Sequence, residues 1–168
     1  HLGPTKSAEI ARELTVLLET RAADSGVSLE VEGDQDFEIN ADARKLRQAM
    51  LNLVLNAMQA SPSGGKVTIE VAKRMCNGAA IKVVDQGSGM TPEVLDRIRK
   101  PYFTTKEGGT GLGIAVSRGL IEQHGGSLDY DSAPGKGTTV TIELPSCAGK
   151  AAAREKLPNP AREPAAVQ

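Results

Sequence analysis

The segment from Met50 to Ala60 constrains the fold most, because almost every position of its helical pattern is apolar. A helix that is apolar nearly all round is predicted to be buried. Its polar members are Asn52, Asn56 and Gln59, whose spacing places them on one narrow stripe. Because a buried amide without a partner costs about 1–3 kcal/mol, a polar group is expected to face this stripe. The two asparagines form either a hydrogen-bonded structural pair or a site where amide oxygens bind a hard cation such as Mg²⁺.

Helical and strand patterns surround this segment as far as residue 145. Helices are predicted at 5–25, 42–60 and 112–124, with a weaker one at 92–98, and strands at 27–31, 37–39, 67–72, 80–84, 128–130 and 138–144. The pair Asn77-Gly78 predicts a hairpin turn. Since strands and helices do not alternate regularly, the order favours a two-layer α/β sandwich over a doubly wound parallel sheet. We expect a mixed, mostly antiparallel sheet packed on about three helices.

The charge balance and the rarity of aromatic residues limit the possible functions. The chain has 20 Lys and Arg against 21 Asp and Glu, so no global positive field favours nucleic acid or an anionic membrane. With two Phe, two Tyr and no Trp, base-stacking platforms for single strands are nearly excluded. The two Cys and two His form no zinc-binding pattern. No apolar run reaches the roughly 20 residues that span a bilayer and no signal peptide is visible, so we expect a cytoplasmic chain without membrane contact.

The chain is expected to contain one domain with an extension at each end. Residues 26–145 carry the strand and helix patterns of the domain. Residues 1–25 are predicted to form an N-terminal helix, which could be a linker from another domain. Residues 146–168 are rich in Ala and Pro and cannot bury enough apolar surface to offset ordering, so this tail is predicted to be disordered.

The predicted strand at 80–84 leads into an acidic residue and two glycines. Asp85 follows the strand, and Gly87 and Gly89 come next at alternate positions. A carboxylate accepts hydrogen bonds only and can hold an exocyclic amino group. Glycines at this point allow the backbone to approach a flat ligand. An ordinary turn that contains an aspartate is the alternative.

A stretch rich in glycine and threonine precedes the predicted helix at 112–124. Glycines before a helix start expose amide donors at the positive end of the helix dipole, which favours phosphate binding. Lys106 could place a point charge on a terminal phosphate. The spacings of the Walker and dinucleotide-binding loops are absent, and a flexible linker is the alternative.

The order and spacing of these motifs resemble those of one protein family. The series is Asn52 and Asn56, then Asp85-x-Gly87-x-Gly89, Phe103, Gly109-x-Gly111-Leu112-Gly113 and Gly137-Thr138. It is similar to the sequence boxes of the catalytic ATP-binding domain of bacterial sensor histidine kinases, which has the Bergerat fold of the GHKL superfamily. The wording Phe103-Thr104-Thr105-Lys106 is most similar to kinases of the nitrogen-regulation type.

The resemblance implies ATP and Mg²⁺ as ligands and assigns their contacts. Asn56 matches the metal ligand, and Asn52 lies one turn earlier and faces the phosphates. Asp85 matches the carboxylate that receives the adenine amino group, and Thr138 matches the threonine that supports adenine directly or through water. The other nucleotide-binding residues implied are Gly87, Gly89, Met90, Phe103, Lys106, Gly109, Thr110, Gly111, Leu112 and Gly113. Lys106 is expected to contact the γ-phosphate, and residues 91–109 are expected to form a mobile lid.

Asn52 separates phosphoryl transfer from hydrolysis. Related ATPase branches typically have Glu here, which can act as a general base, whereas an amide cannot accept that proton. The resemblance therefore implies transfer of the γ-phosphoryl group to a partner histidine. Two alternatives remain: a nucleotide-binding regulatory domain, suggested by Gln59 and Ala60 where many kinases have Lys or His and an aromatic residue, and a GHKL ATPase.

The chain lacks a phosphoacceptor motif. Neither His1 nor His124 lies in the pattern of a phosphoacceptor helix, and His124 is predicted to cap the C-terminus of a helix. We therefore expect a catalytic fragment that acts on a separate histidine-bearing dimerisation domain, serves a response regulator indirectly, is a monomer and does not phosphorylate itself.

Overall fold

A computed structural model describes residues 1–33, 36–98 and 112–145. Within these ranges the chain forms seven strands and five α-helices. The strands are β1 (Gly3–Thr5), β2 (Ser28–Gly33), β3 (Ile39–Ala41), β4 (Lys66–Arg74), β5 (Gly78–Asp85), β6 (Ser127–Ser132) and β7 (Thr138–Leu144). The helices are α1 (Ser7–Leu17), α2 (Glu19–Ser25), α3 (Ala43–Ala60), α4 (Pro92–Ile98) and α5 (Leu112–Glu122). None of these helices is both long enough and apolar enough to cross a bilayer.

The main sheet has five strands in the order β2-β4-β5-β7-β6. Only β2 and β4 are parallel, and every other neighbouring pair is antiparallel. A separate two-stranded antiparallel sheet joins β1 to β3. The prediction of a mixed, mostly antiparallel sheet is therefore confirmed. In the pairing of β5 with β7, Asp85 lies opposite Thr138, so the ends of these two central strands meet at one edge of the sheet.

The helical layer covers one face of this sheet and encloses an aliphatic core. The helix α3 packs on β4, β5 and α5, and α1 packs on α3 and β2. Alternate residues of the strands point into the core because side chains of a strand alternate between its two faces. The largest fully buried side chains are Leu14, Leu46, Met50, Leu53, Val54, Val67, Ile69, Val71, Ile81, Val83, Ile121 and Ile142. Three of the helices have 11 or more residues and correspond to the three main helices of the prediction.

The start of α3 is held by its cap and by a histidine that follows the end of α5. The Asp42 carboxylate accepts hydrogen bonds from the backbone N–H groups of Arg44 and Lys45, as expected for an N-cap. His124 Nε2 accepts from the Asp42 N–H at 3.0 Å, so its Nδ1 carries the proton and donates to the Leu120 carbonyl at 2.7 Å. The predicted capping role of His124 is therefore present, and the same ring also joins α5 to α3.

The N-terminal segment differs from the prediction. The single helix predicted at 5–25 is two helices that are separated at Leu18. Leu18 is buried on the same face as Leu14, whereas Val16 and Leu17 are exposed. The buried residues of α1 share one hydrophobic cluster with the sheet and α3.

The predicted hairpin between β4 and β5 is present, but its turn lies one residue earlier than predicted. It is centred on Cys76 and Asn77, both with a φ of 60°. Gly78 instead begins β5, where an added Cβ would lie 2.6 Å from the Leu144 carbonyl oxygen. The helix α3 is not buried all round, because Asn52 and Asn56 are on a side that stays half-exposed.

Candidate functional site

The end of β5 places a buried carboxylate at the edge of the sheet. Asp85 is only 6% exposed, although most of its strand is apolar. Its Oδ1 accepts hydrogen bonds from the Gly87 N–H at 2.8 Å and from the Thr138 N–H at 3.2 Å. A buried carboxylate needs such donors, because transferring an uncompensated charge from water into protein is costly. The strand pairing and the glycine loop therefore hold Asp85 in one orientation.

The turn between β6 and β7 packs directly on the loop that follows Asp85. The Gly135 N–H donates to the Ser88 carbonyl at 2.6 Å. Gly89 and Gly137 have φ values of 75° and 72°, in the region that side chains rarely adopt. A Cβ at Gly89 would overlap the carbonyl oxygen of Ala133, and a Cβ at Gly137 would overlap that of Asp85. Glycine is required at both positions because two segments of backbone are in contact here.

A serine that the sequence analysis did not identify connects these segments. Ser132 Oγ accepts from the Met90 N–H at 2.9 Å and donates to the Gly137 carbonyl at 3.0 Å. It also lies 2.8 Å from Thr138 Oγ1. Ser132 belongs to no sequence motif and lies between the strands predicted at 128–130 and 138–144. The observed pairing of β6 with β7 sets it opposite Thr138.

The asparagines of α3 approach the same edge of the molecule. Asn52 and Asn56 are both half-buried and lie one helical turn apart. Asn56 is one turn before Ala60, whose carbonyl oxygen a Cβ at Gly87 would overlap. The loop after β5 therefore lies against the last turn of α3, one helical turn from Asn56 and two from Asn52.

The remaining predicted site residues divide into two groups. Phe103, Lys106, Gly109, Thr110 and Gly111 lie outside the described residues. Leu112 and Gly113 begin α5, so the predicted start of this helix agrees with the structure. The predicted lid overlaps the described chain only in part, at α4 and the residue before it.

The donor set limits which metal the site could hold. In the ranges 1–33, 36–98 and 112–145, no three or more His, Cys, Asp or Glu side chains are grouped as metal ligands. Mg²⁺ needs no such group, since it commonly keeps several waters and takes one or two protein oxygens together with phosphates of a substrate. An amide oxygen from α3 could therefore be a Mg²⁺ ligand. A zinc site would need a group of Cys, His or carboxylate ligands, which the described ranges do not contain.

Comparison with known proteins places this arrangement in a family. The profile described as "Histidine kinase-, DNA gyrase B-, and HSP90-like ATPase" matches residues 41–147, which is more than half of the chain. Sensor histidine kinase ZraS from Klebsiella oxytoca is 50% identical over 109 residues, covering 64% of this chain and 23% of that protein. The chain thus spans about a quarter of the length of this relative.

Solved structures agree in fold. The catalytic domain of histidine kinase ThkA, in a nucleotide-free form, superposes with a TM-score of 0.79 at 29% identity, covering 87% of this chain and 96% of that one. Full-length ShkA in complex with AMPPNP gives a TM-score of 0.78 at 27% identity, covering 86% of this chain and 31% of that one. The finer resemblance to nitrogen-regulation-type kinases stays a prediction. The chain belongs to the histidine kinase-, DNA gyrase B- and HSP90-like ATPase family, and its relatives are sensor histidine kinases.

Proposed function

We propose that the chain binds Mg-ATP at the end of β5 and donates the γ-phosphoryl group to a histidine of a partner domain. The observation that carries this proposal is the Asp85 carboxylate, which is buried and is oriented by two backbone N–H groups at the sheet edge. The complex of ShkA with AMPPNP supports an adenine nucleotide as the ligand of this fold.

The base is held at the carboxylate end. Asp85 receives the adenine amino group in a charge-assisted hydrogen bond, and Thr138 supports the ring from the neighbouring strand. A guanine would instead present its carbonyl oxygen to the carboxylate, so two acceptors would face each other. This contact therefore selects adenine over guanine. Gly87, Gly89 and Met90 form the loop beside the base.

The phosphates extend along α3 toward the start of α5. Asn56 provides an amide oxygen to Mg²⁺, which would neutralise phosphate charge, and Asn52 contacts the phosphates one turn earlier. Lys106 and the glycines before α5 supply the remaining positive charge and N–H donors. Phosphoryl transfer depends mainly on positioning and charge neutralisation, which this set of groups provides.

The residue types favour transfer over hydrolysis. The amide of Asn52 cannot take a proton from water, so the chain lacks a general base at this position. A neutral imidazole nitrogen needs no such base: it attacks the γ-phosphorus, a nitrogen–phosphorus bond forms, the bond to the bridging oxygen breaks, and ADP leaves. His124 does not serve as this acceptor, because both its ring nitrogens are engaged: Nε2 accepts from the Asp42 N–H and Nδ1 donates to the Leu120 carbonyl.

The acceptor is a separate dimerisation domain that carries the histidine, and a response regulator takes the phosphoryl group from it. The described part of the chain has no helix that could span a membrane. We propose that this domain is a monomer and acts in the cytoplasm.

Phosphate transfer to a partner tests the proposal. The chain is mixed with a purified histidine-bearing dimerisation domain of a related kinase and with ATP labelled in the γ-phosphate. We expect acid-labile label on the partner, its loss in Asn56→Ala, and normal labelling in Ser127→Ala, an exposed serine at the far end of β6. Binding of ATP without any label would favour a regulatory domain, and rapid ATP turnover without the partner would favour an ATPase.

A further inference from the structure

We propose that Ser132 is a positioning residue for the nucleotide base and acts through the hydroxyl of Thr138. The inference rests on the proposed function, since it assigns a role in the same site. Ser132 is the last residue of β6 and bonds to three groups on two segments: the Met90 N–H, the Gly137 carbonyl and the Thr138 hydroxyl. The Asp85 carboxylate also bonds to both the loop after β5 and the start of β7, so Ser132 is a second link between the same two segments.

The hydrogen count of these contacts fixes which hydroxyl donates. A serine hydroxyl has one proton and two lone pairs. The Gly137 carbonyl can only accept, so it takes the Ser132 proton, while the Met90 N–H can only donate, so it occupies one lone pair. The contact with Thr138 is a hydrogen bond only if Thr138 donates to the second lone pair. In this arrangement the Ser132 hydroxyl is fully satisfied.

The consequence for Thr138 is a defined orientation. Its proton is directed at Ser132, and its two lone pairs remain available to a donor, which is either the adenine amino group or a water molecule beside the ring. Its backbone N–H meanwhile donates to Asp85 Oδ1. Thr138 is thus held by its backbone N–H, which donates to Asp85, and by its hydroxyl, which donates to Ser132. The orientation of the hydroxyl depends on Ser132.

The contact with Met90 gives Ser132 a second way to position the base, because it also holds the loop beside Asp85. Met90 directly follows Gly89, whose positive φ turns the loop toward the β6–β7 turn. By accepting from the Met90 N–H, Ser132 holds the loop in place beside Asp85. Replacing the serine by alanine leaves this N–H and the Thr138 hydroxyl without their partner, although the fold keeps the backbone contacts between Gly135 and Ser88.

A double-mutant cycle on nucleotide binding tests this role. The dissociation constant of Mg-ADP is measured by calorimetry for the unchanged chain, Ser132→Ala, Thr138→Val and the double variant, with Ser127→Ala as the matched control on the same strand. We expect Ser132→Ala to weaken binding about tenfold, because the Thr138 hydroxyl and the loop beside Asp85 both lose the partner that orients them. The same change in the Thr138→Val background should cost about threefold, because the contact shared with Thr138 is already absent and only the contact with the Met90 N–H is lost.

A kinetic split separates positioning from a purely structural role. In phosphate transfer to the histidine-bearing domain, Ser132→Ala should raise KM for ATP about tenfold and leave kcat at saturating ATP within about twofold. Ser132→Thr, which keeps the hydroxyl, should restore KM. Ser132→Cys, which keeps the side-chain volume but bonds weakly, provides the comparison if Ser132→Ala does not fold, and its KM should rise in the same way.

The outcomes distinguish this inference from the proposed function. If Asp85→Asn weakens Mg-ADP binding but Ser132→Ala and Ser132→Cys do not, the role of Ser132 is refuted and the nucleotide site stands. Additive costs of the Ser132 and Thr138 changes would also refute it, because the serine would then act independently of the threonine. If Asp85→Asn has no effect, the site itself is wrong and the inference is overturned with it.

Discussion

The two β-hairpin turns at opposite ends of the main sheet differ in their contacts: one is exposed, and the other packs against a neighbouring loop. The β4–β5 turn extends away from the molecule, with Met75 81% exposed, and two non-glycine residues there, Cys76 and Asn77, adopt a φ of 60°. The β6–β7 turn uses glycines at its positive φ positions, Gly135 and Gly137. It also bonds to the loop after Asp85, whereas the other turn lies at the far end of β5.

In the β4–β5 turn the positive φ is only a local requirement of the turn. In the β6–β7 turn it also allows contact with another segment of the chain. In the β4–β5 turn, a side chain in the left-handed region costs about 1–2 kcal/mol, and the residues that adopt it, Cys76 and Asn77, are exposed. At Gly137 a side chain would also overlap the Asp85 carbonyl, so the cost includes displacement of β7 from β5. We infer that Gly137 is needed because this turn packs against the end of β5, where we propose that the nucleotide base binds.

The largest effect is expected from Gly137→Ala, with Gly135→Ala as its matched control. Both residues have similar positive φ values in one turn, but a Cβ at Gly135 would meet no atom within 4 Å. We expect Gly137→Ala to destabilise the domain by about 3 kcal/mol and Gly135→Ala by about 1 kcal/mol, measured by urea unfolding. Similar values for the two variants would show that only the local φ matters and that the close approach of Gly137 to the Asp85 carbonyl does not affect stability.

A smaller effect is expected from Tyr130→Phe, on the same hairpin but in the core. Tyr130 is 7% exposed, and its hydroxyl has no hydrogen-bond partner among the described residues. Removing this hydroxyl should stabilise the domain by about 1 kcal/mol without changing nucleotide affinity. Weaker nucleotide binding would mean that the whole hairpin, and not only its turn, supports the site.

The same tyrosine predicts how stability depends on pH. Burial raises the pKa of the Tyr130 hydroxyl from 10.0 to about 12, because the charged phenolate is disfavoured in the core. The folded state therefore keeps this proton more strongly than the unfolded state. The resulting contribution to the free energy of unfolding is complete below about pH 10 and is lost as the pH rises toward 12. The free energy of unfolding of Tyr130→Phe should fall less steeply across this range, and parallel profiles would contradict the assignment.

The smallest effect is expected from Cys76→Gly in the β4–β5 turn. Relief of the left-handed conformation is offset by the greater freedom of glycine in the unfolded chain, so the net change in stability should be below about 0.5 kcal/mol. The dissociation constant for Mg-ADP should not change. A change in affinity from this distant turn would weaken the distinction between the two ends of the sheet.

Much of the fold followed from local sequence patterns. The helix α3 and strand β7 occur where the apolar spacing predicted them, because each has a strong period and clear boundary residues such as Asp42. The meeting of Asp85 with Thr138 follows from the antiparallel pairing of β5 and β7. The division of the N-terminal helix at Leu18 was not predictable, because no glycine or proline marks it in the sequence.

The parts of the site that escaped prediction are contacts between distant backbone groups. Ser132 bonds to the N–H of Met90, 42 residues away, and a serine at a strand end has no distinctive sequence signal. His124 was predicted to cap its own helix, but its bond to Asp42, 82 residues away, is a tertiary contact. The roles of Lys106, Phe103 and the glycines before α5 stay predictions from the family resemblance.

Binding of a nucleotide to the unchanged chain and to Asp85→Asn tests the central claim most directly. Asparagine keeps the size of the side chain but removes the charge and places an N–H₂ group among donors. In calorimetric titrations with Mg-AMPPNP, we expect one site per chain and a loss of about 1–3 kcal/mol in Asp85→Asn, with Ser127→Ala unchanged. Equal dissociation constants for the unchanged chain and Asp85→Asn would contradict the claim that Asp85 holds the base.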